Sequence, residues 1–340
     1  MPPFTPGKHG QPPKVLISHR STEALPAEAD VVIIRSGITG ASAAHWLYQD
    51  ESDKELKVVM LEAREACWGA TGRNGGHCQP RIYDRSAELS SLEMRNYLTL
   101  QDLINKHDIA CDWVDLSVVH GYMSQSLFEE VLSEYKSHLQ SDPSISELIM
   151  VVTPSSTNLS LSDLRVSNSQ EKRSSRRLSR STALHFLRHR RGELIFGGGR
   201  AYTANASLGV SDGSSIDLLA AAYIRREISK EPDLHNGGEV FKVNYKWSGI
   251  IGFSKDDRPW VGELTEDLGL SGGERFVDLC CVYGHGMPNA FLDTKAVVEL
   301  MIGRKDEEVD LPSVHWITKE RVEGMRGIES VFIVDYKAGM

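Results

Sequence analysis

The residues best suited to chemistry sit in three glycine-rich stretches. The first is Arg35-Ser36-Gly37-Ile38-Thr39-Gly40. It follows the β-branched run Val31-Val32-Ile33-Ile34, leads into the helix-forming stretch Ala41 to Tyr48, and is followed by a second apolar run from Lys57 to Glu62. In this strand–turn–helix–strand order a Gly-x-Gly-x-x-Gly fingerprint holds a dinucleotide. Gly37 lets the backbone approach a pyrophosphate, and Gly40 allows close helix–strand packing. The free N–H groups at the helix N-terminus favour phosphate. Ser36, Gly37, Ile38, Thr39 and Gly40 are therefore candidate cofactor contacts. Glu62 stands 22 residues after Gly40, where a carboxylate can accept ribose hydroxyls. Arg35 occupies the fingerprint's first glycine position. A non-glycine residue there carries ~1–3 kcal/mol of backbone strain, and its side chain either blocks a pyrophosphate or pairs with it. The plain alternative is a structural βαβ unit that binds nothing.

The second stretch begins five residues after Arg64 of Glu62-Ala63-Arg64. It is Gly69-Ala70-Thr71-Gly72-Arg73-Asn74-Gly75-Gly76. An exposed backbone of this kind suits an anion or a flat ring, so Ala63, Arg64, Thr71, Gly72, Arg73, Asn74, Gly75 and Gly76 join the candidates. The third stretch is Tyr283-Gly284-His285-Gly286-Met287, ahead of Pro288. Gly284, His285, Gly286 and Met287 are candidate contacts at the start of a further helix. His285 reads either as a satisfied turn histidine or as a hydrogen-bond donor to a ligand. Tyr283 and Arg200, the latter after Gly197-Gly198-Gly199, are candidates for substrate contact. Arg200 would clamp a carboxylate or serve only as a surface charge. No histidine, cysteine and carboxylate set has metal-ligand spacing, and no nucleophile elbow is present.

The elements that must position these stretches are readable from periodicity. The runs 29–34 and 57–62 suit parallel strands buried on both faces, joined by a right-handed crossover. Residues 86–110 and 126–140 are predicted helical, as are 215–230 and 288–302. Strands are predicted at 193–196 and 276–282, and on both sides of a turn at Lys255 to Arg258. Residues 154–191 differ. From Glu171 to Arg191 there are eight Lys or Arg and one Glu, a polar, basic insertion expected to be disordered.

Composition sets the outer bounds. The chain has 340 residues and a formal charge of −9, with 40% hydrophobic and 25% charged residues. These are globular values, and the acidic balance argues against a nucleic-acid binder. No apolar run is long enough to span a membrane. Five cysteines without a framework read as reduced thiols, so a cytoplasmic location is the default expectation.

The run Gly69 to Gly76 resembles the flavin-side loop of the FAD-dependent oxidoreductase superfamily of D-amino acid oxidase type. The likeness is to its glycine and sarcosine oxidase branch, and to fungal FAD-dependent amino acid oxidase-like proteins. Trp247 to Phe253, Asp257-Arg258-Pro259-Trp260-Val261-Gly262 and Tyr283 to Pro288 resemble later segments of the same family. The resemblance implies an α/β fold with a Rossmann-like FAD-binding domain built from 29–85 and 270–304. A reduced α+β substrate domain would come from 86–153 and 192–269, with a flexible leader over 1–28 and a C-terminal extension over 305–340. It implies FAD as cofactor and oxidation of an amine or amino acid by hydride transfer to flavin. O₂ would be the acceptor, giving H₂O₂, and the likeness to the fungal proteins implies a role in specialised metabolism.

The chain departs from the family at Arg35 and at 154–191, where the family carries further sheet. A catalytically impaired relic is therefore the alternative function. For 154–191 the readings are a solvated insertion, a shortened oxidase, or a nucleic-acid or nuclear-targeting patch.

Overall fold

The computed structural model describes residues 16, 18–49, 56–83, 85–111, 113–115, 118–121, 125–151, 175–178, 185–188, 194–228, 243–264, 266, 277–280 and 285–326. Strand β1 (Val31–Ile34) leads into helix α1 (Ile38–Leu47) and then strand β2 (Val58–Leu61). The two strands pair in parallel, Val31 beside Val58 and Ile34 beside Leu61. The βαβ unit is therefore present as read. Ile33 and Leu47 are buried together with Val298, flanked by Val31, Trp46, Val58 and Met301.

One expectation about these strands fails. Val32 is 52% exposed and Ile34 72% exposed, so β1 is buried on one face only. Side chains alternate across a strand, and only the Ile33 side meets a helix layer. Among the described residues no third strand joins β1 and β2.

Helix α2 (Ala87–Lys106) starts at Ser86, whose side chain accepts the Leu89 N–H at 3.5 Å. Its buried stripe is Leu89, Leu92, Glu93, Asn96 and Leu100. This is helical spacing with two polar residues at its centre. Strand β3 (Val118–Gly121), helix α3 (Gln125–Ser141), and strands β4 (Ser175–Leu178), β5 (His185–Arg188) and β6 (Leu194–Gly197) follow. They form one sheet in the order β3-β4-β5-β6, with β3 and β4 parallel and the other pairs antiparallel. Within the 154–191 segment, residues 175–178 and 185–188 are the strands β4 and β5 of this ladder. The rest of that segment lies outside the described residues, as does most of the leader.

Helix α4 (Leu218–Ile228) precedes an irregular stretch, 243–259, that holds the turn read at Lys255 to Arg258 but no strand ahead of it. Here the prediction is corrected. Trp247 and Gly249 pack on Arg73 instead, and Arg73 takes the Ser248 carbonyl. That backbone is therefore used by a loop rather than by a ladder. Strand β7 (Trp260–Glu263) pairs antiparallel with β8 (Val277–Cys280), and helix α5 (Ala290–Met301) follows.

The two ends of the chain meet through helices. The Trp46 indole N–H donates to Phe291 O at 2.9 Å, and the two rings lie 4.8 Å apart. Helix α6 (Lys319–Arg326) ends the described chain. The stretch before it is part of the core: Val309 and Leu311 pack with Val261 and Ala296, and Ile317 N–H donates to Val261 O at 2.9 Å. No described helix is long and apolar enough to cross a membrane.

Candidate functional site

The turn after β1 has the backbone that a dinucleotide fingerprint demands. Arg35 has a φ of 79°, a left-handed value that favours glycine. Its N–H donates to Leu61 O at 2.7 Å, which fixes the turn against β2. A Cβ on Gly40 would stand 2.0 Å from the Arg35 carbonyl oxygen, so only glycine lets α1 pack this close to the turn. The first and third glycine positions are thus both used, but the first carries an exposed arginine.

Glu62, at the end of β2, is held from both sides. Its Oε2 accepts the Ser36 N–H at 3.0 Å and the Ser36 hydroxyl at 2.7 Å, and its Oε1 accepts the Arg64 N–H at 3.1 Å. Partial burial pushes the carboxyl up, but the Ser36 bonds, the Arg64 N–H and the Arg64 charge outweigh it, and the group sits below its usual range. It is an ionised, pre-oriented acceptor with lone pairs to spare for ribose hydroxyls.

The three glycine-rich stretches are bonded into one site. Helix α1 has no side-chain cap at Gly37. Thr71 Oγ1 instead accepts the Ile38 N–H at 3.0 Å, and a Cβ on Gly37 would fall 2.9 Å from that oxygen. This joins the first stretch to the second. Cys78, just beyond the second stretch, places its Sγ 3.6 Å from Met287 O, and Asn96 Nδ2 donates to the same carbonyl at 3.1 Å. This joins the second stretch to the third. Burial pushes the Cys78 thiol up to about 12, with Glu93 adding to it, so it is inert.

Within the loop two candidates serve its own shape. Asn74 Nδ2 donates to Thr71 O at 3.0 Å and its Oδ1 accepts the Gly76 N–H at 2.7 Å. Arg73 donates to Trp68 O at 3.0 Å, to Ser248 O at 2.8 Å and to Gly213 O. Its guanidinium is spent on three carbonyls, one nearby in the chain and two in distant segments. Ala63 and Arg64 are exposed, Gly72 is buried and Gly75 half-buried.

Arg200 donates from Nε to Ala206 O at 3.0 Å, and its guanidinium lies 4.7 Å from the Phe253 ring centroid. These contacts tie it to its own loop and to the 243–259 stretch. Tyr283 and Gly284 lie outside the described residues. His285, Gly286 and Met287 form the turn before α5. Sequence reasoning missed Glu93 and Asn96, which bond this turn from α2. Their place on the α2 stripe was the available signal.

Comparison with known proteins bears on the same region. Residues 30–150 match the family model described as FAD dependent oxidoreductase. The likeness to that family model is confined to this stretch. The probable oxidoreductase OrdL of Rhizobium meliloti is 30% identical over 134 residues, which is 39% of this chain and 26% of that protein. Its namesake from Haemophilus influenzae is 28% identical over 118 residues, 31% of this chain and 25% of that protein. The matched part thus spans about a quarter of the length of these curated relatives. The solved structure of an L-amino acid deaminase from Proteus vulgaris, with its specific insertion sequence deleted, shares the fold. The TM-score is 0.59 at 13% identity, covering 90% of this chain and 97% of that one.

FAD is the cofactor of this family, and the residues present fit it. The α1 N-terminus, where Thr71 takes the Ile38 N–H, the glycine-only contact at Gly40 and the ionised Glu62 are the parts a pyrophosphate and ribose require. Arg35 is the one departure.

Proposed function

We propose that the chain binds FAD across the three bonded stretches and oxidises an amine or amino acid, with O₂ as acceptor and H₂O₂ as product. The observation that carries this reading is the pair of backbone demands met at positions 35 and 40. A left-handed φ and a 2.0 Å approach are the geometry of the tight turn that sets a helix N-terminus against a pyrophosphate. The bound FAD would accept a hydride from the substrate C–H bond. The N–H groups at the start of α1 would hold its phosphates. Glu62, aimed by Ser36, would hold the ribose. The N-terminus of α5 would place positive potential beside the ring system. Support for a nitrogen-bearing substrate comes from the fold shared with the Proteus vulgaris deaminase and from the resemblance of Gly69 to Gly76. A small molecule is the partner this site takes, and a role in specialised metabolism rests on the resemblance alone.

The test is the visible spectrum of the purified protein, then its bleaching by amines and amino acids without air and peroxide release on readmitting air. A colourless chain that free FAD does not colour would overturn the reading. The second reading, a relic without turnover, is favoured by Arg35 and by the bare face at Val32 and Ile34. It predicts a colourless protein that added FAD does not reconstitute.

A further inference from the structure

Glu93 lies in the middle of α2 with a side-chain exposure of 0%, and everything that reaches it is a donor. Its Oε2 accepts the Arg81 N–H at 2.7 Å and faces His285 Nε2 at 3.1 Å. Its Oε1 lies 3.4 Å from Asn289 Nδ2 and 3.5 Å from Arg85 Nη1. Burial pushes the carboxyl up, but His285, Arg85 and the Arg81 N–H together hold it below its usual range. An ionised carboxylate accepts and never donates. The hydrogen between Glu93 and His285 must therefore belong to Nε2. The ring's other nitrogen, Nδ1, is bonded by no described residue. The imidazole is 22% exposed, so it is the outward-facing member of the pair. It stands in the turn whose Met287 carbonyl is tied to Cys78 and the glycine loop.

We propose that Glu93 is a positioning residue that holds His285 as its Nε2–H tautomer, so that Nδ1 takes a proton from the ammonium group of the substrate. This rests on the amine-oxidising reading above. Only the neutral amine can release a hydride from its neighbouring carbon, and amino acids carry ammonium at neutral pH. In the step the ammonium N–H bond breaks, its electron pair stays on nitrogen, and the proton binds Nδ1. The resulting imidazolium is neutralised by Glu93. His285 is lowered from its ordinary value by burial, with Glu93 opposing that shift and Arg85 and Arg81 adding to it. The ring is thus neutral and ready to accept at pH 7. The other charged or titratable groups packed nearby are Asp293, which feels Glu93 along α5, and the Cys78 thiol.

The experiment is ¹⁵N-histidine NMR on the flavin-loaded protein, with the His285 signals assigned by their loss in His285→Gln. The expected result is a protonated Nε2 and an unprotonated Nδ1 at neutral pH. In Glu93→Gln the titration midpoint falls and both tautomers appear. Amine oxidation by that variant loses about tenfold or more in kcat with little change in KM, and the acid limb of its pH profile moves lower. An Nδ1–H tautomer in the wild-type protein overturns the proposal without any variant. An unchanged titration and unchanged kcat in Glu93→Gln also overturn it. A protein that never takes up FAD overturns both this proposal and the reading beneath it. A yellow protein with the wrong tautomer overturns this one alone.

Discussion

Asp293 Oδ1 and His315 Nδ1 lie 3.1 Å apart, with side-chain exposures of 0% and 1%. The pair fastens the stretch after α5 to α5 itself, beside the Val261, Ala296, Val309 and Leu311 core. The other Asp293 oxygen, Oδ2, has no hydrogen-bond partner among the described residues. Removing the imidazole would leave a buried carboxyl with no side-chain partner and a hole in the core. His315→Ala is therefore expected to lower stability by about 3 kcal/mol, read as a shift in the urea midpoint. Asp293→Asn, which keeps the volume and a hydrogen-bonding oxygen, is expected to cost clearly less.

Asp293 and Glu62 should bend the pH dependence of stability in opposite directions. Burial pushes Asp293 up, His315 opposes it and Glu93 adds to it, leaving a net rise. Its contribution is fullest below the ordinary carboxyl value of 3.8 and shrinks as pH climbs through the raised folded-state value. Glu62 is lowered from 4.5, so its contribution is full above that value and is lost as pH falls through the lowered one. Urea midpoints measured between pH 3 and 7 check this. Asp293→Asn should remove the loss on the rising side, and Glu62→Gln the loss on the acid side. Parallel curves for both variants and wild type would contradict the assignment.

Arg35 should be replaceable with profit, and Gly40 should not. Relief of a positive φ is worth ~1–3 kcal/mol, less what glycine adds to the freedom of the unfolded chain. Arg35→Gly is expected to gain about 1 kcal/mol in the apoprotein and to retain more flavin per chain. Arg35→Ala keeps the strained backbone and should gain nothing. This separates backbone strain from the charge of the side chain. In Gly40→Ala the new Cβ must displace the Arg35 carbonyl, at a cost of about 1–3 kcal/mol or more, and flavin retention should fall with it. Thermal melts and the flavin-to-protein absorbance ratio read both effects.

The βαβ unit was legible because its signals are local. A β-branched run, a glycine pair and a carboxylate all lie within 32 residues, from Val31 to Glu62. The helices were legible from spacing for the same reason. What sequence did not show was which face of β1 is covered, because Val32 and Val31 are the same residue type and only tertiary packing separates them. It did not show that 247–253 would forgo a ladder, because the partner of that backbone is Arg73, 175 residues away from Ser248. Nor did it show the role of Glu93. A glutamate on a helix reads as a solvated charge until His285, Arg81, Arg85 and Asn289 are seen to converge on it. Arg73 drew attention for its place in a glycine loop, and the structure gives it other work.

That work yields the last expectation. Arg73 is partly buried and donates to the carbonyls of Trp68, Gly213 and Ser248, and the Trp247 indole N–H returns a bond to Arg73 O at 2.9 Å. One planar fork thus ties the glycine-rich loop to two segments with no regular structure of their own. Lysine cannot reproduce this, since its single ammonium lacks the fork geometry. Arg73→Lys and Arg73→Met should therefore behave alike, each costing about 3 kcal/mol in the apoprotein. Proteolytic cleavage should rise within 209–216 and 246–252, where the released carbonyls lie. A side chain reserved for a cofactor phosphate would behave differently. Its loss would leave the apoprotein melt and the cleavage pattern unchanged, and would weaken only FAD affinity, more so at low salt. Melting both variants with and without added FAD, alongside limited proteolysis, distinguishes the two roles, and an unchanged apoprotein melt would contradict the one drawn from these contacts.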